Sequence, residues 1–444
     1  MSMVGGVGTE RVAPLRRNRA FQVLWLGQCV SQFGNVTAVL AYPLLVLTLH
    51  GSAAWAGVLG SIAYAVGLAA RLPAGAICDR ADRRRIMIVS EVGRAAAMVV
   101  LTAAVIAGVV PIWLIIVVAA VDGVALEFFR FAGRSALRHV VHPSQVPVAL
   151  AANEARSQSA ALAGPAAGGW LFAVGTWLPF GVNALAHALT AAMVATLRRP
   201  LQKRPQRHAD RRRPFHTEVR EGFAWLRRAP EVRVLLISAI GPNLVFGGAT
   251  LVIVAAAHDQ GSGGAVIGTA LSAASLGGVA GALAAPTLMR ALTPTALLFS
   301  ASWLLPAVLF GLAAAPGVGA MALLLGVAVF TVPLLNTLLS TYQVRFTPDG
   351  LQGRVFSVSS FITGAAQPFG PLLGGVVYET SGGTAAFLTL AAVLALSASV
   401  VTALPSARRL RPIAWAAPDA PPASPEETAP GGSHGEPEHG SARG

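Results

Sequence analysis

Long apolar runs, most at or near the ~20 residues a helix needs to cross a bilayer, alternate with short polar turns along most of this chain. They occupy residues 21–49, 54–77, 86–109, 112–129, 155–174 and 177–197. After a polar break they resume at 234–257, 265–289, 295–315, 318–341, 355–378 and 384–404. The pattern predicts an all-α membrane protein with twelve transmembrane helices in two sets of six. It divides the chain into a first half (1–197), a polar linker (198–233), a second half (234–404) and a tail (405–444).

Composition agrees. Hydrophobic residues make up 54% of the 444 positions and charged residues 12%, against roughly a quarter charged in soluble domains. Hydrocarbon as the outer solvent removes the need for a charged surface. The net charge of +14 would suit a nucleic-acid binder, but its distribution does not, because the arginines sit in short clusters between apolar runs. Cys29 and Cys78 lie inside apolar runs without metal or redox spacing. Lys203 is the lone lysine among 33 basic residues, a bias associated with high-GC bacterial genomes.

Basic residues are retained on the cytoplasmic side of short loops. Arg11, Arg16, Arg17 and Arg19 precede the first run, Arg80 and Arg83–Arg85 follow the second, and Arg130, Arg134 and Arg138 follow the fourth. Arg290, Arg345 and Arg354, and Arg408, Arg409 and Arg411 continue the series at alternate turns. The intervening turns, near His50, Val110, Gly175, Ser262, Pro316 and Glu379, carry no Lys or Arg. This places both termini in the cytoplasm of a bacterial inner-membrane protein. The linker holds twelve Lys/Arg against four acidic residues, and within it Val219, Phe223 and Leu226 recur at helical spacing. That segment reads either as an amphipathic helix on the inner membrane surface or as a solvated linker helix. The Pro-, Gly-, Ser- and Glu-rich tail has little to bury and is expected to be disordered.

Gly75, Asp79, Arg80, Asp82 and Arg83 fall at fixed spacing in the turn after the second run. Gly75 would permit close helix approach, and Asp79 could accept from a helix start. A second motif occurs twice, 206 residues apart: Gly164, Pro165, Gly168, Gly169, and Gly370, Pro371, Gly374, Gly375. The offset matches the division into halves and marks an internal repeat. Proline opens the helical hydrogen-bond ladder and glycine allows tight packing, so both elements are expected to bend.

Together these motifs resemble the major facilitator superfamily, with Asp82 in place of the usual second glycine of the loop signature. The run Pro348, Asp349, Gly353, Arg354, Val355 resembles the enterobactin-exporter-like branch of bacterial drug and siderophore exporters, while Phe131 and Arg138 replace prolines usual there. The resemblance covers the chain from about Leu15 to Leu404. It implies alternating access around a site near the midplane, with the turn after span two helping to hold one gating state and the Gly-Pro element associated with antiporters. Gly75, Asp79, Arg80, Asp82, Arg83, Glu91, Glu127 and Arg354 then become candidate gate residues, together with Arg71.

Ionisable groups inside a bilayer are costly and are functional candidates by default. Asp122 lies about ten residues into span four, hence ~15 Å deep, and Arg94 sits at similar depth in span three. Asp122 reads either as a proton carrier that exchanges its proton for a cationic or polar substrate, or as the structural ion-pair partner of Arg94. If the family arrangement holds, Asn35, Asn243 and Asn336 line the cavity with Asp122; interhelical hydrogen bonding is the alternative. Asn183 and His187 share a face of span six, where the resemblance favours packing.

The expected function is export of a small amphipathic molecule, a drug, siderophore or natural product, by proton antiport. Import on the same architecture and a non-transporting membrane sensor or assembly factor are the alternatives. The chain carries no Ser/His/Asp constellation, no metal-spaced His/Cys set and no phosphate-cradling loop, so no enzyme activity, cofactor or metal is expected. The expected partners are the small-molecule substrate, protons and lipid, with no nucleic acid, and the expected working unit is a monomer.

Overall fold

The computed structural model describes residues 14–197, 215–348 and 351–410. Arg11, the linker arginines from Arg198 to Arg213 with Lys203, Asp349 and the tail from Arg411 onward lie outside the described residues, as do the side chains of Asp79, Arg80, Arg138 and Val219. Among the described residues the chain is helical with no strand.

The first half contains α1 (Arg19–His50), α2 (Ala53–Arg80), α3 (Arg83–Ile106), α4 (Ile112–Val140), α5 (Val146–Val174) and α6 (Leu178–Ala195). A linker helix, α7 (Phe215–Arg228), leads to α8 (Pro230–Asp259), α9 (Gly264–Ala291), α10 (Pro294–Ala313) and α11 (Val318–Phe346). Then come α12 (Gln352–Ala365), α13 (Phe369–Ala403) and the short α14 (Pro405–Arg408). Ten stretches are long and apolar enough to cross a membrane, one of them running from Gln352 to Ala403. That stretch doubles back at Gly382, whose φ of 83° is a left-handed conformation favouring glycine. With this division, and with the Ala- and Gly-rich α5 of 29 residues, the spans number twelve.

Several helices outrun their apolar windows at the arginine-rich end, since the hydropathy pattern marks only the part in hydrocarbon. Thus α4 continues to Val140 and α11 to Phe346, and span seven begins at Pro230 and not at 234. Helix starts use local caps: Asn18 accepts from Phe21 N, Ser52 from Trp55 N and Asp82 from Arg84 N. Apolar side chains such as Leu185, Leu283, Leu323 and Leu396 remain exposed, as lipid-facing positions must.

Two expectations are corrected here. Span eleven is not one bending helix: it is interrupted at Ala366–Pro368, between α12 and α13, while Gly370 to Gly375 lie within the continuous helix beyond. The break falls where Pro368 lacks an N–H. The tail does not begin at 405, because Ala407 and Leu410 are buried and Thr295 Oγ1 donates to Ala407 O at 3.1 Å.

The halves meet along two equivalent seams, α5 against α9 and α2 against α13. Each seam is built from the repeated motif. A methyl group on Gly169 would strike the carbonyl oxygen of Gly264, and one on Gly375 that of Ala53. The preceding glycines, Gly168 and Gly374, face Thr37 and Gly248 of their own halves in the same way. Pro165 leaves the Ala161 carbonyl without its helical donor, and Ser275 Oγ of α9 donates to it at 3.3 Å. Ser272 Oγ, also of α9, accepts from Ala166 N at 2.8 Å. The opened ladder of α5 is thus closed from the other half. Both glycine contacts lie near the arginine-poor end. There Glu379, in the turn between the last two spans, accepts from Ser52 Oγ at 2.6 Å and Ala54 N at 2.7 Å at the start of α2.

Candidate functional site

The first half holds a cluster of charged side chains midway along its helices. Arg94 lies eleven residues into α3, Asp122 ten into α4 and His187 nine into α6, which puts each ~15 Å from its helix end. Arg94 Nε donates to Asp122 Oδ1 at 2.7 Å, and Nη1 donates to Glu91 Oε1 at 3.1 Å. Nη1 also reaches Ser31 Oγ at 3.3 Å, while Nη2 donates to Asn35 Oδ1 at 2.9 Å. On the opposite side, His187 Nδ1 lies 2.9 Å from Glu91 Oε2, and Nε2 lies 4.0 Å from Asp122 Oδ1. Ser31 Oγ completes the ring by donating to Glu91 Oε1 at 3.2 Å.

Glu91, Arg94 and His187 are fully buried, and the cluster's accessible edge is Asp122, whose side chain is 11% exposed, with the half-buried Asn35. Apolar layers close both ends. Met98, Leu101 and Phe180 lie toward the arginine-poor end, with Tyr42 stacked edge-on against Phe180 at 5.4 Å. Leu24, Met87, Phe129 and Val194 lie toward the arginine-rich end. Charges in such surroundings persist only when paired and hydrogen-bonded, and these are. The cluster thus sets two carboxyl groups, Glu91 and Asp122, against one guanidinium and one imidazole.

Asp122 and Arg94 are therefore joined, as one of the two sequence readings had it. Glu91 is a correction: expected at the gate, it sits three residues before Arg94 on the same face of α3 and inside the cluster. His187, expected to be packing, is a member as well. Ser31 was missed, since a lone serine in an apolar run gives no signal. Asn35 belongs to the cluster through Arg94.

The other candidates lie elsewhere. Asn243 bonds within α8 and accepts from Gln367 Nε2 at 2.9 Å, which ties span seven to the break in span eleven. Asn336 is exposed. Gly75 meets only the Phe131 ring, at an ordinary 3.9 Å for an added methyl, so close packing does not demand glycine there. Asp82 caps α3. Arg83 donates to Ser135 O at 3.3 Å and lies 3.0 Å from His139 Nδ1, both on α4. Arg354 pairs with Glu221 of the linker helix at 2.5 Å, so α7 is docked on α12 and not simply solvated. Glu127 is buried between Arg71 and Arg130, at 3.5 Å from each, and the Arg71 guanidinium packs beside Gly364 of α12. This last group approaches the other half at the arginine-rich side.

Comparison with known proteins agrees with this architecture. The chain is 26% identical over 394 residues to the uncharacterized MFS-type transporter YfiS of Bacillus subtilis, covering 86% of this chain and 92% of that one. It is 26% identical to the multidrug efflux pump Tap of Mycolicibacterium fortuitum, over 85% of this chain and 93% of that one. It is 25% identical to macrolide efflux protein A of Streptococcus pyogenes, over 88% and 97%. Among solved structures, a bacterial homolog of the human lysosomal transporter Spinster superposes with a TM-score of 0.69 at 12% identity, covering 88% of this chain and 98% of that one. The nucleoside transporter NupG gives 0.64 at 15%, over 87% and 98%. The transmembrane secretion effector model matches residues 9–421. By that match the chain is a membrane transporter and not an enzyme, and it belongs to the transmembrane secretion effector family of the major facilitator superfamily.

Proposed function

We propose that this transporter exports small amphipathic molecules in exchange for protons, with the charge cluster of the first half as the coupling element. One observation carries the reading: a buried cluster of two carboxyl groups, a guanidinium and an imidazole at mid-span, with Asp122 and Asn35 at its accessible edge. Loading a proton changes the charge at that edge, which is where a cationic or polar cargo group would compete with it. Export of drug-like cargo is supported by relatives named as multidrug and macrolide efflux pumps at 25–26% identity. A siderophore cargo rests on the motif from Pro348 to Val355 alone. The arginine distribution supports placing the arginine-rich end and both termini in the cytoplasm of a bacterial cell membrane. In that orientation the glycine seams and Glu379 hold the two halves together at the outer end. The chain is further proposed to act as a monomer.

The test uses everted vesicles loaded by an imposed pH gradient, with ethidium and a macrolide as probes. Wild-type protein should concentrate at least one of them when the lumen is acidic, and collapsing the gradient with an ionophore should abolish accumulation. Accumulation that survives the ionophore would remove proton exchange from the mechanism.

A further inference from the structure

We infer that the coupling proton rests on His187, with the Nε2 nitrogen as its acceptor and Asp122 as the port through which it arrives. The inference builds on the proton-exchange reading and names the group that stores the proton. It starts from hydrogen-bond accounting. Buried polar atoms are nearly always partnered, and an exception calls for an explanation. His187 is fully buried, yet its Nε2 has no hydrogen-bond partner. With Glu91 ionised, Nδ1 carries the ring hydrogen and donates to Glu91 Oε2, so Nε2 presents a lone pair. That lone pair lies 4.0 Å from Asp122 Oδ1.

The neighbours of the ring occupy Nδ1 and leave Nε2 facing Asp122. From α1, Ser31 Oγ stands 3.5 Å from Nδ1 and is already engaged by Glu91 and Arg94. From α3 come Glu91 and Arg94, and from α4 comes Asp122. On α6 itself, Asn183 lies one turn away with both amide atoms buried and unpartnered, and Thr190 is bonded to Gly27 O and Ala186 O. A proton placed on Asp122 would cancel the charge that binds Arg94 Nε. A proton on Nε2 leaves every existing contact in place and produces an alternating ring, Arg94, Glu91, His187, Asp122, in which each cation touches both carboxylates. Opposite charges within ~4 Å stabilise one another strongly where water is excluded.

The step is a single proton transfer. Protonated Asp122 gives its proton to the Nε2 lone pair, leaving an Asp122 carboxylate and an imidazolium with N–H at both nitrogens, and no other bond changes. Release runs in reverse. The proton thus waits behind Asp122, and a cationic cargo group drawn to the restored carboxylate is opposed by the imidazolium behind it until the proton leaves.

The test reads the ring directly and needs no cargo. Protein in lipid nanodiscs is labelled with 15N-histidine, and the resonances missing from the His187→Asn spectrum identify the residue among nine histidines. Lowered from about pH 8 to about pH 5, wild-type His187 should pass from one protonated nitrogen to two, and Asp122→Asn should move the transition to a different pH. Asn can keep a donor toward Glu91 but has no second nitrogen to titrate. His187→Asn should therefore insert and elute as a folded protein while losing pH-gradient-driven ethidium accumulation by at least tenfold. A ring that stays singly protonated through this range overturns the assignment, as does a His187→Asn protein that retains wild-type accumulation. Wild-type vesicles that fail to respond to the gradient would sink the antiport reading instead, and the ring titration would still decide where the proton sits.

Discussion

Arg94 is the residue on which the first half's buried charges converge, since its three nitrogens serve Asp122, Glu91, Ser31 and Asn35. Removing one member of a buried ion pair leaves its partner uncompensated, at a cost of about 3–5 kcal/mol. Arg94→Gln should be the most damaging change, because two carboxylates then face each other across an apolar core. Asp122→Asn should cost less, since Arg94 keeps Glu91. The double variant should melt above Arg94→Gln alone, because one carboxylate remains and His187 can pair with it. Thermal unfolding of the purified proteins checks the order. If the double variant melts lowest, the two residues act independently and the ring of charges is not a unit. The depth of Arg94 and Asp122 was legible by counting residues from the span ends, which fixes height. It does not fix azimuth, and only azimuth brings Glu91 and His187 to the same point.

At the scale of helices, the repeated Gly-Pro element was legible as a repeat, while its structural use was not. Sequence suggested bending, and the structure shows docking: glycines meet carbonyl oxygens across the seams, and the carbonyl freed by Pro165 is taken by Ser275. The partner segments, 53–57 and 264–275, bear no mark in the sequence that pairs them with the motif. Glu379 adds an electrostatic contact at the same end. The Ser52 hydroxyl and the Ala54 amide hold its carboxyl below the ordinary carboxylate range, and the start of α2 favours the negative charge. A lowered carboxyl pKa means that the contact is complete above the ordinary value and is lost as pH falls through the lowered one. Spin labels on His50→Cys and Ser262→Cys should report this as a distance distribution that lengthens between neutral pH and about pH 3. Glu379→Gln should show the long distances already at neutral pH, and Gly169→Val should show them at every pH. A distribution identical in all three proteins would mean that neither the carboxylate nor the glycine seam closes this end.

For the whole molecule, the prediction is orientation. In a background of Cys29→Ser and Cys78→Ser, His50→Cys and Ser262→Cys should react with an impermeant maleimide added to intact cells. Gln206→Cys, in the basic linker, should react only after the membrane is opened. Reaction at Gln206→Cys from outside would invert the arrangement and with it the proposed direction of transport. Twelve spans, two related halves, the charge asymmetry between the two ends and the depth of Arg94 and Asp122 were legible in the sequence alone. They follow from one-dimensional rules, namely the length of apolar runs, the spacing of arginines and the helical rise per residue. Tertiary structure decided which residues at equal depth meet. It gathered Ser31, Glu91, Arg94, Asp122 and His187 from α1, α3, α4 and α6, separated Asn243 and Asn336 from them, and turned a bending motif into a seam. The physical reason is that lipid constrains each helix only along its axis, whereas rotation about that axis is fixed by contact with neighbouring helices.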